Sequence, residues 1–409
     1  MSNTNQTKIG LLTATIIGMN AMIGAGIFTA PAAVAANVGP AGIVAYLFVV
    51  AAVWFMAQSL ARLAYLFPQE GSFYEYAKQW SGHAGGMLAG GMYIIGLTIA
   101  MGLLSQAIGG YFHTLIPSVS AYKLGLITLS VLIMLNLFGA VLSQLGQHVL
   151  IVCTTFPLIA MTAMCLSRAD MSNLTPFAPF GWASVIKAMR IAIFGFFGFE
   201  CAASLFNIVR NPKQNVPKAL TYSIVVVGVL YTLFVGSVIL SVPLENFTDP
   251  RIPLSDILES VFHGMRWFVM MIHFAILSAL TGTVHSMIWS ASALLVSLKK
   301  KSGITITHNI GVLVIGALIL LSYLTLKQPG LFFNLTALFV VSAFVLSMVT
   351  LLTIKKEWQS GNNIKTIIGM STALFIMTLA VEGILTSLEI VSEGYLDHFL
   401  MWPLKIFDI

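Results

Sequence analysis

The chain has 409 residues, of which 58% are hydrophobic and only 8% charged, and its mean hydropathy is +0.93. A soluble domain carries about 25% charged residues, so this composition excludes a soluble enzyme, a disordered chain and a disulfide scaffold. The net charge of +6 is spread between long apolar runs and not gathered on one face, which points to membrane orientation and away from a nucleic-acid partner.

A bilayer core of about 30 Å takes about 20 apolar residues in a helix, because backbone amides must be satisfied within the segment. That ruler predicts an all-α integral membrane protein with about eleven spans, near 11–36, 41–66, 85–115, 122–142, 147–167, 184–209, 219–242, 264–298, 309–326, 331–354 and 364–387. The whole chain, 1–409, reads as a single transmembrane domain. The first span follows a short polar leader without a cleavage site and reads as retained. The connections 166–183 and 243–263 are too short to fold alone. With the N-terminus on the cytoplasmic side, twelve Lys and Arg residues, from Lys8 and Arg62 to Lys299, Lys300, Lys301 and Lys365, fall inside and eight fall outside. This is the bias expected of a cytoplasmic membrane protein. Residues 388–409 hold Glu389, Glu393, Asp397, Lys405 and Asp408, each costly in mid-bilayer, so they are expected to lie at the outer interface.

Two spans depart from plain apolar helix. The first contains Ile23-Gly24-Ala25-Gly26-Ile27-Phe28, then Pro31; the sixth contains Phe194-Gly195-Phe196-Phe197-Gly198-Phe199-Glu200. Glycine weakens a helix interior by roughly 1 kcal/mol relative to Ala and permits unwinding. Taken singly, either pair suits close helix packing. Their places, first and sixth, instead suggest two sets of five spans running in opposite senses: a 5+5 inverted repeat, about 11–167 and 184–354, with 364–409 peripheral. Helices 1 and 6 would then be unwound at mid-membrane.

The dipoles of such breaks select a ligand. Amides at the restarted first helix suit a carboxylate, and orphan carbonyls at a half-helix C-terminus suit an ammonium. An α-amino acid zwitterion carries both. Gly24, Ala25 and Gly26 are therefore expected to donate to the carboxylate, while the carbonyls of Met22, Phe194 and Phe197 accept from the amine. No carboxylate other than Glu200 falls near this pocket, so a cationic side chain would lack a countercharge; a neutral amino acid is expected. Glu200 is read either as a proton-linked group or as a neutral, hydrogen-bonded packing residue.

At these residues the chain resembles the amino acid-polyamine-organocation (APC) superfamily. The likeness rests on Gly24 to Phe28, on Gly198 to Glu200, and on Asn211-Pro212 through Pro217, Ala219 and Leu220. It covers roughly residues 8 to 354 and implies a five-plus-five fold, alternating access, and transport of amino acids or related amines. It also makes Phe194 an aromatic lid and Glu200 the buried carboxylate of the sixth helix. Two departures stand out. The stretch before Asn211-Pro212 is usually acidic in the superfamily but here holds Asn207 and Arg210, which argues against an inner-gate ion pair there. The fifth span lacks the lysine found in many sodium-independent members; Thr154 or Thr155 stands in its place. These hydroxyls, with Ser278 and Thr281, form a candidate cation site, so the coupling ion is either H+ or Na+.

The remaining residues carry weaker signals. Glu382, near the outer end of the eleventh span, reads as interfacial. His273 and His285 are twelve residues apart, about 120° around a helix, which disfavours a shared metal. Tyr93 and Trp289 read as packing or cavity-lining aromatics, and Cys153, Cys165 and Cys201 as small apolar residues without metal or redox spacing. No phosphate loop is present, and neither an enzyme, a cofactor nor a metal is expected. The expected function is secondary active transport of neutral L-amino acids; the alternatives are an exporter or exchanger, and a non-transporting amino-acid-binding sensor. The expected partners are a small amino-acid substrate and membrane lipid, with no nucleic acid.

Overall fold

The computed structural model describes residues 8–137, 140–206, 209–247, 254–262, 264–354 and 363–388. The tail expected at the outer interface falls almost wholly outside these residues, as does Asn207. Among the described residues the regular structure is helical, and one isolated parallel bridge joins Ile9 to Val209. Eight stretches of the described residues are long and apolar enough to cross a membrane, and Leu11–Met22 and Ala121–Leu137 are shorter apolar helices.

The first expected span is two helices, α1 (Leu11–Met22) and α2 (Ala25–Val38). A 3-10 turn, Gly39–Ala41, leads into α3 (Gly42–Leu66). Helix α4 (Phe73–Leu115) starts before its expected span because a short helical segment precedes it, set off by a bend at Gly82, φ +70°. There follow α5 (Ala121–Leu137), α6 (Ala140–Leu166), α7 (Gly181–Phe194), a 3-10 helix Phe199–Leu205, and α8 (Pro212–Ser241). The chain continues through α9 (Leu254–Val261), α10 (Arg266–Lys301), α11 (His308–Thr325), α12 (Pro329–Thr353) and α13 (Asn363–Ser387).

Helices α5, α10, α11 and α12 pack around α4, whereas α7, α8 and α13 pack around α3. With apolar lipid on the outside, helix association in a membrane depends on close approach, and α4 supplies it through small residues. A Cβ at Gly96 would lie 2.6 Å from Val340 of α12, and one at Gly109 would lie 2.2 Å from the Ala121 carbonyl of α5.

The two ends of the bundle are tied separately. At one, the Arg210 N–H donates to the Ile9 carbonyl at 2.9 Å and Glu75 pairs with Lys301. At the other, the Ala41 N–H donates to Phe177 O at 2.8 Å, and both Asp170 N and Asn173 Nδ2 donate to Leu240 O. The basic residues expected to share the inner side therefore include a group, Arg210 and Lys301, at one end of the bundle.

Glu382 departs from its sequence reading. It is 4% exposed, inside the seam of α13 with α12, and not interfacial. The neighbouring Gly383 lets the Asn334 amide come against the α13 backbone, where a Cβ would lie 2.4 Å from Asn334 Nδ2. This close seam extends burial towards the helix end.

Candidate substrate site at two interrupted helices

Helix α1 ends normally, with the Ile23 N–H on Met19 O at 2.7 Å, but the Gly24 N–H turns back to Met22 O at 2.7 Å instead of continuing the ladder. Gly24 leaves helical geometry at φ −128°, ψ −141°, and α2 restarts at Ala25 with no side-chain cap. The amides of Ala25, Gly26 and Ile27 form the first turn of α2, where a helix has no acceptors of its own. Two carbonyls freed by the break are held from other helices. The Thr283 hydroxyl of α10 donates to Asn20 O at 3.1 Å, and the Tyr231 hydroxyl of α8 donates to Met22 O at 2.6 Å.

The second interruption lies between Phe194 and Phe199. Its turns are closed by the Phe196 N–H on Ile193 O at 2.9 Å and the Phe197 N–H on Phe194 O at 3.3 Å. Gly198 sits at φ +113°, a conformation that favours glycine, and a Cβ there would also lie 2.4 Å from Ala21 O. Glu200 is fully buried and completes the turn. Its Oε2 accepts from the Gly198 N–H at 3.0 Å, and its Oε1 accepts from the Tyr93 hydroxyl of α4 at 2.9 Å.

The interruptions touch. A Cβ on Gly26 would lie 2.1 Å from Gly195 Cα, and one on Gly24 would lie 2.2 Å from Thr283 Oγ1. Glycine at these positions is therefore required by the close approach of the first break to the second and to α10. The structure brings Met22, Gly24, Ala25, Gly26, Phe194 and Phe197 into this one region. The carbonyls of Met22 and Phe194 already accept bonds within the protein.

Phe194 is buried, with its ring edge-on to Phe333 of α12 at 4.7 Å and 6.3 Å from Phe197. Phe197 in turn lies 6.5 Å from Phe344 of α12. Of the hydroxyls considered for a cation, Thr154 donates to Leu150 O at 2.7 Å and Thr281 to Leu277 O at 2.6 Å, each within its own helix. Thr155 Oγ1 is buried without a hydrogen-bond partner, and Ser278 is half-buried. Helices α6 and α10 do pack together, with Gly282 against Leu150.

The remaining residues separate. His273 lies beside Tyr111 at 6.2 Å, whereas His285 Nδ1 accepts from Asn136 Nδ2 at 2.9 Å. Cys201 is buried near the Tyr93 hydroxyl, at 3.8 Å. Tyr231, Thr283 and Glu75 were not singled out by sequence. The first two lie on ordinary apolar helices, and their signal is one hydroxyl each, far along the chain from the carbonyl it holds.

A multi-pass helical membrane protein with two discontinuous helices meeting through glycine is the architecture of a transporter, in which irregular backbone is tolerated inside protein. The sequence profile of the amino acid permease family matches residues 9–301, and the chain belongs to that family, whose members are transporters and not enzymes. Similar proteins include the branched-chain amino acid permease of Bacillus subtilis, 22% identical over 72% of this chain and 67% of the relative. The gamma-aminobutyric acid permease of the same organism is 26% identical over 70% of this chain and 64% of its own length. The cationic amino acid transporter 1 of Arabidopsis thaliana is 23% identical over 64% of this chain and 47% of its own. The matched region thus spans about two thirds or less of these relatives.

Proposed function

We propose that this protein moves neutral L-amino acids across the cytoplasmic membrane by alternating access, with its N-terminus on the cytoplasmic side. The observation that carries the reading is the contact of the two interruptions at Gly26 and Gly195. The first-turn amides of Ala25 and Gly26 would receive the carboxylate, joined by that of Gly24 once it leaves Met22 O, and the carbonyls of Met22, Phe194 and Phe197 the ammonium. A carbonyl has two lone pairs, and Met22 O already takes Gly24 N and Tyr231 Oη. An incoming ammonium would therefore displace one of these donors, which links binding to movement of α1 or α8. On this reading residues 11–167 and 184–354 are the two inverted repeats, and Phe194 is the lid.

Relatives named for branched-chain, γ-amino and cationic substrates all belong to the likeness. The neutral choice rests on the site: Glu200 is already engaged by Tyr93 and Gly198 and is not offered to a substrate cation. The same engagement supports H+ over Na+ as the coupling ion. A proton on Oε2 replaces an acceptor by a donor facing the Gly198 N–H and so loosens the second break.

Counterflow in proteoliposomes with a panel of labelled amino acids, repeated under separate sodium and pH gradients, tests the reading. Saturable exchange of leucine, methionine or alanine that responds to the pH gradient is expected. Exchange confined to arginine or putrescine would overturn the substrate class, and absence of any counterflow would overturn transport.

A further inference from the structure

Between α3 and the membrane-spanning part of α4 the chain forms a strap bounded by two glycines in the left-handed region, Gly71 at φ +105° and Gly82 at φ +70°. Around Gly82 a Cβ would meet nothing within 4 Å, whereas one on Gly71 would lie 3.3 Å from Ser297 Oγ of α10. One turn beyond Ser297, Lys301 pairs with Glu75 of the strap. Tyr74 sits beside this pair, with the ammonium of Lys301 5.8 Å and that of Lys78 5.5 Å from its ring centre, and its hydroxyl is bonded to His83 Nδ1 at 2.9 Å.

The strap is fixed to α12 by different means. The Thr350 hydroxyl donates to Tyr76 O, Trp80 Nε1 donates to Leu346 O at 2.8 Å, and Phe73 stacks on Phe344 at 5.6 Å. The ion pair is thus the charged tie between the strap and α10. The strap's other end continues from α3, which packs against α7, α8 and the 3-10 helix after the second break.

We propose that Glu75 and Lys301 form the latch that closes this end of the transport route; the proposal rests on the transport reading above. The side chain of Glu75 is 3% exposed and that of Lys301 30%. Lys301 can pass into water directly. Glu75 can separate from it only if water enters beneath the strap, because an unpaired carboxylate in so dry a place is strongly disfavoured. Opening of the latch and hydration of this end therefore occur together, with Gly71 and Gly82 as the two pivots.

The test uses the full chain in proteoliposomes, with Glu75→Gln, Lys301→Gln and the exchange Glu75→Lys/Lys301→Glu. A membrane-impermeant maleimide is applied from each face, and modification of Cys201, in the 3-10 helix that follows the second break, is read by peptide mass. Each single variant is expected to raise Cys201 modification from the Lys301 face about tenfold, as loss of one partner of a buried pair permits, with no rise from the opposite face. The exchanged pair is expected to return it to the wild-type rate. Unchanged modification in the single variants, an equal rise from both faces, or an exchanged pair that behaves like the single variants would each overturn the latch. Wild-type counterflow is measured on the same vesicles: its absence sinks the transport reading, whereas its presence with unaltered labelling sinks the latch alone.

Discussion

The break between α1 and α2 spans two residues and is held from outside, by hydroxyls of α8 and α10 on the carbonyls of Met22 and Asn20. The break after α7 spans four residues and a 3-10 helix, and it closes on its own carboxylate, with one further bond from Tyr93. The first is therefore tied to the positions of other helices, while the second is tied chiefly to Glu200. On the proposed transport reading, the arrangement of the bundle would act on one half of the site and a proton on the other.

Filling the place where the two breaks meet is expected to have the largest effect. Gly26→Leu puts side-chain atoms where Gly195 Cα already stands, and backbone cannot yield as a flexible side chain does. Overpacking costs typically about 1–3 kcal/mol, and here it falls on the contact between the two breaks. Counterflow is expected to fall to background while the protein is still recovered from the membrane. Gly236→Ala on α8, where nothing lies within 4 Å of the added carbon, is expected to transport as wild type. Normal amino-acid binding by the Gly26 variant would remove the assignment of the site.

Next in size is Glu200→Gln. The carboxylate accepts from two donors, and an amide offers one oxygen and one NH2, so one donor loses its acceptor in a buried place. That costs about 1–3 kcal/mol, equivalent to roughly a five- to 150-fold loss of transport. If Glu200 also carries the proton, the pH dependence of the residual transport flattens. A wild-type pH profile in this variant would leave Glu200 structural and would return the coupling ion to the hydroxyl set on α6 and α10.

Smaller again is Tyr231→Phe, which removes a donor but leaves Met22 O with the Gly24 N–H. The expected loss is about 0.5–1.5 kcal/mol, read as a shift of the substrate concentration at half-maximal counterflow. An effect equal to that of Glu200→Gln would mean that the first break is not held by shared donors in the way described.

Both breaks were legible because each joins two glycines and aromatics inside an otherwise unbroken apolar run, and the spans because bilayer thickness sets a length. What holds the breaks was not legible. Tyr231 and Met22 are 209 residues apart and Thr283 and Asn20 are 263 apart, and neither hydroxyl disturbs the periodicity of its helix. Tyr93 reads from sequence only as an aromatic, since a phenol in a membrane helix has many partners to choose from. Glu75 lies in a polar stretch between spans, where a carboxylate is ordinarily solvated, and only the fold-back at Gly71 and Gly82 buries it. Glu382 was misplaced because closeness to a helix end is a poor guide to burial when a glycine draws the neighbouring helix in.

Asp170→Asn, at the end of the bundle away from Lys301, is expected to change least. Asp170, in the connection between α6 and α7, accepts from the Ser172 N–H at 2.8 Å, and this bond holds its carboxyl below the usual carboxylate range. A depressed value means that the cap contributes above the unfolded carboxyl's range and is lost only as pH falls through the still lower folded value. Between pH 5 and 8 Asp170 therefore stays ionised and contributes no slope. Asp170→Asn keeps an acceptor oxygen for Ser172, so its transport and its pH profile over that window are expected to match wild type. A profile altered by this substitution would place pH sensitivity in the connection, and flattening by Glu200→Gln could then no longer be read as the proton of the second break.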